Sequence, residues 1–173
     1  MIKQKEQISD TRKEFNFMSS SIISQVFRGI LVGIFAGLVV GAFRLLIEKS
    51  FHLIQAAYVR GRSEWFWLVA LLFFYACIVF INARLVATEK DIKGSGIPQV
   101  EAELKGLMSL SWWSILWKKF LVGILAISSG LMLGREGPSI QLGAMSGKGI
   151  SKWLNLSPVE ERTLIASGAA AGL

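Results

Sequence analysis

Two short stretches of this chain have the residue types and spacing to hold an anion. Gly94-Ser95-Gly96-Ile97-Pro98 and Gly134-Arg135-Glu136-Gly137-Pro138 both read Gly, polar, any, any, Pro, and lie forty residues apart. Proline suits the first turn of a helix, where its missing N–H costs nothing. Each stretch therefore reads as a glycine-loosened loop leading into a helix. The first four N–H groups of such a helix lack internal partners, and the helix dipole adds about half a positive charge there. Glycines let an ion approach those amides closely. A site of this kind needs no full positive charge, so the anion enters and also leaves.

Glu136 is itself an anion placed in an anion site. Ionised, it can occupy the position of a bound ion; protonated or displaced, it leaves. Ionisable groups inside membrane segments are rare and usually functional. Hydropathy alone leaves a second reading equally open, in which Arg135 and Glu136 form a neighbouring pair in an interfacial loop.

The elements that carry these stretches are membrane elements. The chain is 53% hydrophobic and 18% charged, with a mean hydropathy of +0.51. Soluble domains have about 25% charged residues. Gly29 to Phe43 carries no charged side chain, and the run continues to Ile47 with Arg44 as its only charge. Trp65 to Ala83 gives nineteen more uncharged residues. A spanning helix needs about 20 predominantly apolar residues, so both runs qualify. Beyond residue 90 the pattern breaks up. Phe120 to Gly134 is an uncharged run of fifteen residues, and 163–173 is rich in Ala and Gly. Interrupted spans of this kind place helix ends near the bilayer midplane in secondary transporters. The fold expected is all-α and integral to the membrane.

Smaller features fit that class. Residues 1–25 are polar and mixed in charge, unlike a cleavable leader, and residues 1–20 read as a cytoplasmic segment. Six tryptophans cluster at the ends of apolar runs, the interfacial habit. Glycines at 29, 33, 37 and 41 line one face of the first run, and Gly143–Gly147 and Gly168–Gly172 repeat the spacing, predicting close helix contacts. Ser157-Pro158-Val159-Glu160 has the form of a capping box. The net charge of +7 sits mainly at the ends of apolar runs, which argues against nucleic acid as a partner. Cys77 lies in an apolar run as a small hydrophobe, and His52 follows the first run as an interfacial residue. No Ser/His/Asp set, metal-ligand spacing or Walker loop occurs. Neither an enzyme nor a metal or cofactor site is expected.

The two pentapeptides, in this order and at this separation, resemble the first two selectivity-filter motifs of the CLC family of chloride channels and proton/chloride exchangers. The similarity extends through Gln99-Val100-Glu101, Trp112-Trp113, Lys119-Phe120 and Ser167 to Leu173. The resemblance implies tilted and broken transmembrane helices in an inverted-repeat fold. Residues 21–173 would be a partial transmembrane domain, truncated before the end of the first repeat. It implies a chloride-binding set of Ser95, Gly96, Ile97, Arg135, Glu136 and Gly137 within the motifs Gly94–Pro98 and Gly134–Pro138. Ser95 would contact the central chloride from the inner side. Glu136 would be the external gate, passing protons in exchangers, with Arg135 bracing its loop. Glu101 and Lys119 would form a supporting ion pair. The partners implied are chloride, protons, the bilayer and, at full length, a second copy in a homodimer. The location implied is the plasma membrane, crossed several times, with the N-terminus cytoplasmic.

The third filter motif of the family and its internal proton-transfer glutamate lie beyond the equivalent of Leu173. The chain alone is therefore expected not to transport. Proton-coupled chloride exchange at full length is the leading expectation. A passive chloride channel and a non-transporting fragment with an assembly role are the alternatives. A fluoride-selective relative fits less well, because the serine-bearing motif is intact.

Overall fold

The computed structural model describes the backbone of residues 2–61, 65–130 and 134–173, and side chains for residues 22–61, 65–130 and 134–173. Among the described residues six α-helices run in the order α1 (Ile2–Gly61), α2 (Trp65–Thr88), α3 (Ile97–Leu104), α4 (Trp112–Ser128), α5 (Glu136–Trp153) and α6 (Pro158–Ala171), with a 3₁₀ turn Lys90–Ile92 before α3. Among the described residues there is no strand. Two segments, Ile22–Gly61 and Trp65–Thr88, are long and apolar enough to cross a membrane. They correspond to the two apolar runs expected from the sequence. The side chains of the expected cytoplasmic segment, residues 1–20, lie outside the described residues.

Helix α5 is the axis of the bundle. It packs against α1, α3, α4 and α6, and twelve of its residues, including Gly143, Gly147 and Lys148, are buried. Two features of its sequence permit this. Small residues leave room for neighbouring backbones, and the bulkier Leu142 and Met145 fill the core together with Phe43, Ile115 and Ile165. Phe43 of α1 meets Phe120 of α4 with ring centroids 5.6 Å apart. The Phe43 ring also lies over Gly123, where an added Cβ would come within 2.7 Å of it.

The glycine pairs of α5 and α6 behave as their spacing predicts. A Cβ on Gly143 would collide with the Gly168 carbonyl, one on Gly147 with that of Leu164, and one on Gly172 with that of Ser139. These helices touch backbone to backbone. The glycine stripe of α1 differs from expectation. An added Cβ at Gly29, Gly33, Gly37 or Gly41 would meet no described atom within 4 Å. Helix α1 instead docks through Val32, Ala36, Val40, Phe43 and Ile47. The reason is competition between faces: the branched and aromatic residues bury more apolar area than the glycines can. Helix α2 buries only Leu71 and Ile78. Its remaining apolar surface suits a membrane environment.

Helix α6 begins as its sequence predicts. Pro158 stands at its first position, and the Glu160 carboxylate accepts the Ser157 N–H at 3.1 Å. Arg28 of α1 also bonds Glu160. At the other end, Arg44 donates to the Leu173 carbonyl at 2.6 Å and to that of Gly172 at 3.3 Å. Two arginines of α1 thus fasten both ends of α6, which fixes the two helices as parallel.

Candidate anion site

The loop before α3 requires glycine. Gly94 and Gly96 have φ of 71° and 86°, the left-handed region that side chains avoid. Four consecutive carbonyls ahead of α3 are occupied by side-chain donors. Gln141 donates to Asp91 O at 2.8 Å, Lys119 to Ile92 O at 2.8 Å and to Gly94 O at 2.7 Å, and Gln99 to Lys93 O at 3.2 Å. The negative ends of these peptide dipoles are engaged by protein groups. The start of α3 presents N–H groups and the Ser95 hydroxyl, which accepts only a long 3.4 Å bond from Ile97 N.

Helix α5 starts in the same manner. Neither Gly96, before α3, nor Arg135, before α5, supplies a side-chain cap. The two helix starts meet. A Cβ on Gly137 would lie 2.7 Å from Ser95 Cβ and 2.9 Å from Ser95 Cα and O. That contact places the two pentapeptides against one another, and only glycine at 137 permits it.

Between them lies a cavity of about 570 Å³ whose wall includes Gly94, Ser95, Ile97, Gly134, Glu136 and Gly137. The Lys119 side chain also borders it, and the rest of the wall is largely apolar. Amide groups in apolar surroundings act at low effective dielectric, where their attraction for an anion is strengthened. Glu136 is the one carboxylate on the wall.

The structure distributes the expected residues unevenly around this cavity. Gly96 is off the cavity wall, because it faces Gln141 of α5. Arg135 is exposed and also off the wall. Glu101 and Lys119 do not form an ion pair. Glu101 accepts from Lys105, one turn along the exposed face of α3, at 2.6 Å. This bond holds its carboxyl below the usual carboxylate range. The periodicity of α3 explains the difference: Val100 and Glu103 take the inward positions and Glu101 faces out.

Two residues of the region escaped sequence reasoning. Gln141 is completely buried against the Ser95 loop. Lys148 is 2% exposed at the far end of α5. It donates to Glu103 at 2.6 Å and to Leu110 O at 2.8 Å. Glu161 stands 3.9 Å from Lys148 and 3.0 Å from Lys152, so the cluster joins α3, α5 and α6. The signal available for both was a lone long polar side chain among the small residues of 137–151.

Comparison with known proteins decides the family. Residues 74–173, more than half the chain, match the family described as voltage gated chloride channel. The chain belongs to this family. It is similar to the H(+)/Cl(−) exchange transporter ClcA of Vibrio cholerae, with 40% identity over 109 residues, 62% of this chain and 23% of the relative. Against ClcA of Cronobacter sakazakii the identity is 37% over 126 residues, covering 70% of this chain and 27% of the relative. A crystal structure of a slow cyanobacterial Cl−/H+ antiporter superposes with a TM-score of 0.77 at 30% identity, covering 86% of this chain and 35% of that one. The all-α membrane fold expected from the sequence is that of the chloride channel family. The chain spans about a quarter of the length of these curated relatives.

Proposed function

We propose that this chain supplies the inner chloride contact and the outer gate of a proton-coupled chloride exchanger. The observation that carries the reading is the seating of Gly137 on Ser95, which brings two uncapped helix starts and a single carboxylate to one cavity. A dehydrated halide receives the amides of α3 and α5 and the Ser95 hydroxyl. Ionised Glu136 competes for the same amides. Protonation removes its charge and frees the position, so one proton travels with the exchange of one occupant. Named relatives and a matched structure that are proton/chloride exchangers support coupled exchange over passive flow.

Orientation follows from the ends of α5. Arg28 near the start of the first span bonds Glu160 at the start of α6, and Lys148 and Lys152 bond Glu161 on the same side. With the N-terminus in the cytoplasm, this is the inner face. Glu136 lies about 18 Å away along the helix, twelve residues at 1.5 Å each, on the outer side.

The activity belongs to a protein of full family length, and the chain on its own carries no flux. Ser95 and Glu136 stand exposed here, whereas a dehydrated site needs cover. The test is reconstitution of the full-length protein in liposomes, recording chloride and proton movement together. Glu136→Ala abolishes the proton movement, and Ser95→Ala weakens chloride selectivity. Chloride flux with no proton movement in the unaltered protein would replace exchange by passive conduction. Flux from the 173-residue chain alone would overturn the requirement for the rest.

A further inference from the structure

We propose that Gln141 is a positioning residue that locks the Ser95 loop to the helix carrying Glu136, so that both halves of the anion site hold one mutual geometry. The inference rests on the reading of the cavity given above and extends it to a residue outside its wall.

Three observations carry it. Gln141 lies on α5, five residues after Glu136, about 7.5 Å along the helix. Its Nε2 donates to Asp91 O at 2.8 Å, across fifty positions of sequence, while its carboxamide packs closely on Gly96. A Cβ at Gly96 would come 2.8 Å from Gln141 Cβ and would overlap the carboxamide itself. Its Oε1 is buried and has no hydrogen-bond partner among the described residues. A polar group held in that state costs stability. Burying an amide with its acceptor oxygen unused, where Leu or Met would fill the space, implies that the donated bond has a purpose beyond packing.

The geometry of the loop indicates that purpose. Of the four carbonyls engaged before α3, Ile92 and Gly94 are held from α4 by Lys119, and Lys93 is held from within α3 by Gln99. Only Asp91 is held from α5. Gln141 is therefore the hydrogen bond that ties this loop to the element bearing the gate. Without it, the Ser95 loop keeps its α4 anchor and its packing on Gly137 and loses the hydrogen bond that fixes it to α5. A site whose two sets of donors shift relative to one another discriminates poorly between a spherical halide and a larger planar anion.

The experiment has two independent readouts on Gln141→Met, which keeps length and volume and removes the donor. Hydrogen exchange on the chain in detergent reads the loop directly. The amides of Lys93 and Val100, bonded to Lys90 O and Gly96 O at 3.1 Å on either side of the Ser95 loop, are expected to exchange roughly three- to tenfold faster, the size of one net hydrogen bond, while those of α6 keep their rates. In liposomes containing the full-length protein, the preference for chloride over nitrate falls by a similar factor. Gln141→His, whose Nε2–H reaches as far as the glutamine amide, restores both. Unchanged exchange at Lys93 and Val100 in folded Gln141→Met overturns the proposal, as does an unchanged anion preference in a variant that still transports. Should Gln141→Met fail to accumulate, Gln141→Leu, which also lacks a donor, is read in the same two ways. The functional reading fails separately: unaltered protein whose flux ignores Glu136→Ala would defeat it, and the exchange readout would still stand.

Discussion

The two ends of α5 are built on opposite principles. At Lys148 every charge has a partner. The ammonium meets Glu103 and the Leu110 carbonyl, Glu103 also accepts the Leu110 amide, and Glu161 is shared with Lys152. At Glu136 nothing is capped, the carboxylate stands exposed, and the cavity wall is largely apolar, with Lys93 and Lys119 as its cations. One end holds helices together, and the other leaves donors unused for a ligand. The difference teaches that charge in a membrane segment has no single meaning: a satisfied charge fastens, and an unsatisfied one works.

This contrast can be broken most forcefully at the sealed end. Lys148→Met leaves Glu103 buried without its counter-charge, and destabilises the protein by about 3–5 kcal/mol. Thermal unfolding in detergent measures the loss, and the double change with Glu103→Gln recovers most of it. If the single variant melts with the unaltered protein, the cluster is not a fastening. Gly147→Ala is next, because the new methyl faces the Leu164 backbone; overpacking costs about 1–3 kcal/mol, read in the same assay.

At the open end the expected pattern inverts. Glu136→Ala changes stability by less than about 1 kcal/mol, since only its interaction with the helix start is lost. Its large effect appears in proton-coupled flux of the full-length protein. A large drop in melting temperature would make Glu136 a structural residue and erase the distinction. The smallest effect belongs to Glu101→Gln on exposed α3. The Lys105 bond lowers the Glu101 carboxyl, so whatever it contributes is present above the ordinary carboxylate range and fades as acid titrates the group. Superimposable melting curves at neutral pH are expected. A distinct shift would return Glu101 to the supporting role that its sequence position suggested.

The spans, the broken helices and the meeting of two filter stretches were legible in the sequence, because hydropathy runs and the Gly-to-Pro spacing reflect local physics. The glycine pairs of α5 and α6 were legible for the same reason. What could not be read was direction. Gly29, Gly33, Gly37 and Gly41 have the same spacing as the pairs that touch, yet an added Cβ at any of them would meet no described neighbour within 4 Å, because the face that docks was chosen by larger residues. Glu101 and Lys119 were the charged positions singled out, and both found other partners through helix phase. Lys148 and Gln141 remained hidden, since a single polar residue on a small-residue helix becomes informative only when its distant partner is known.

One spacing has a further meaning. In both filter stretches the opening glycine lies four residues before the proline, at Gly94 and Pro98 and again at Gly134 and Pro138. Were either helix to wind one turn further back, the pyrrolidine ring would strike the carbonyl of that glycine. Neither coil can lengthen toward the cavity and swallow its own free N–H groups. The vacant amides are thus guarded by a steric stop written into the chain, and the ligand is spared competition from the backbone itself.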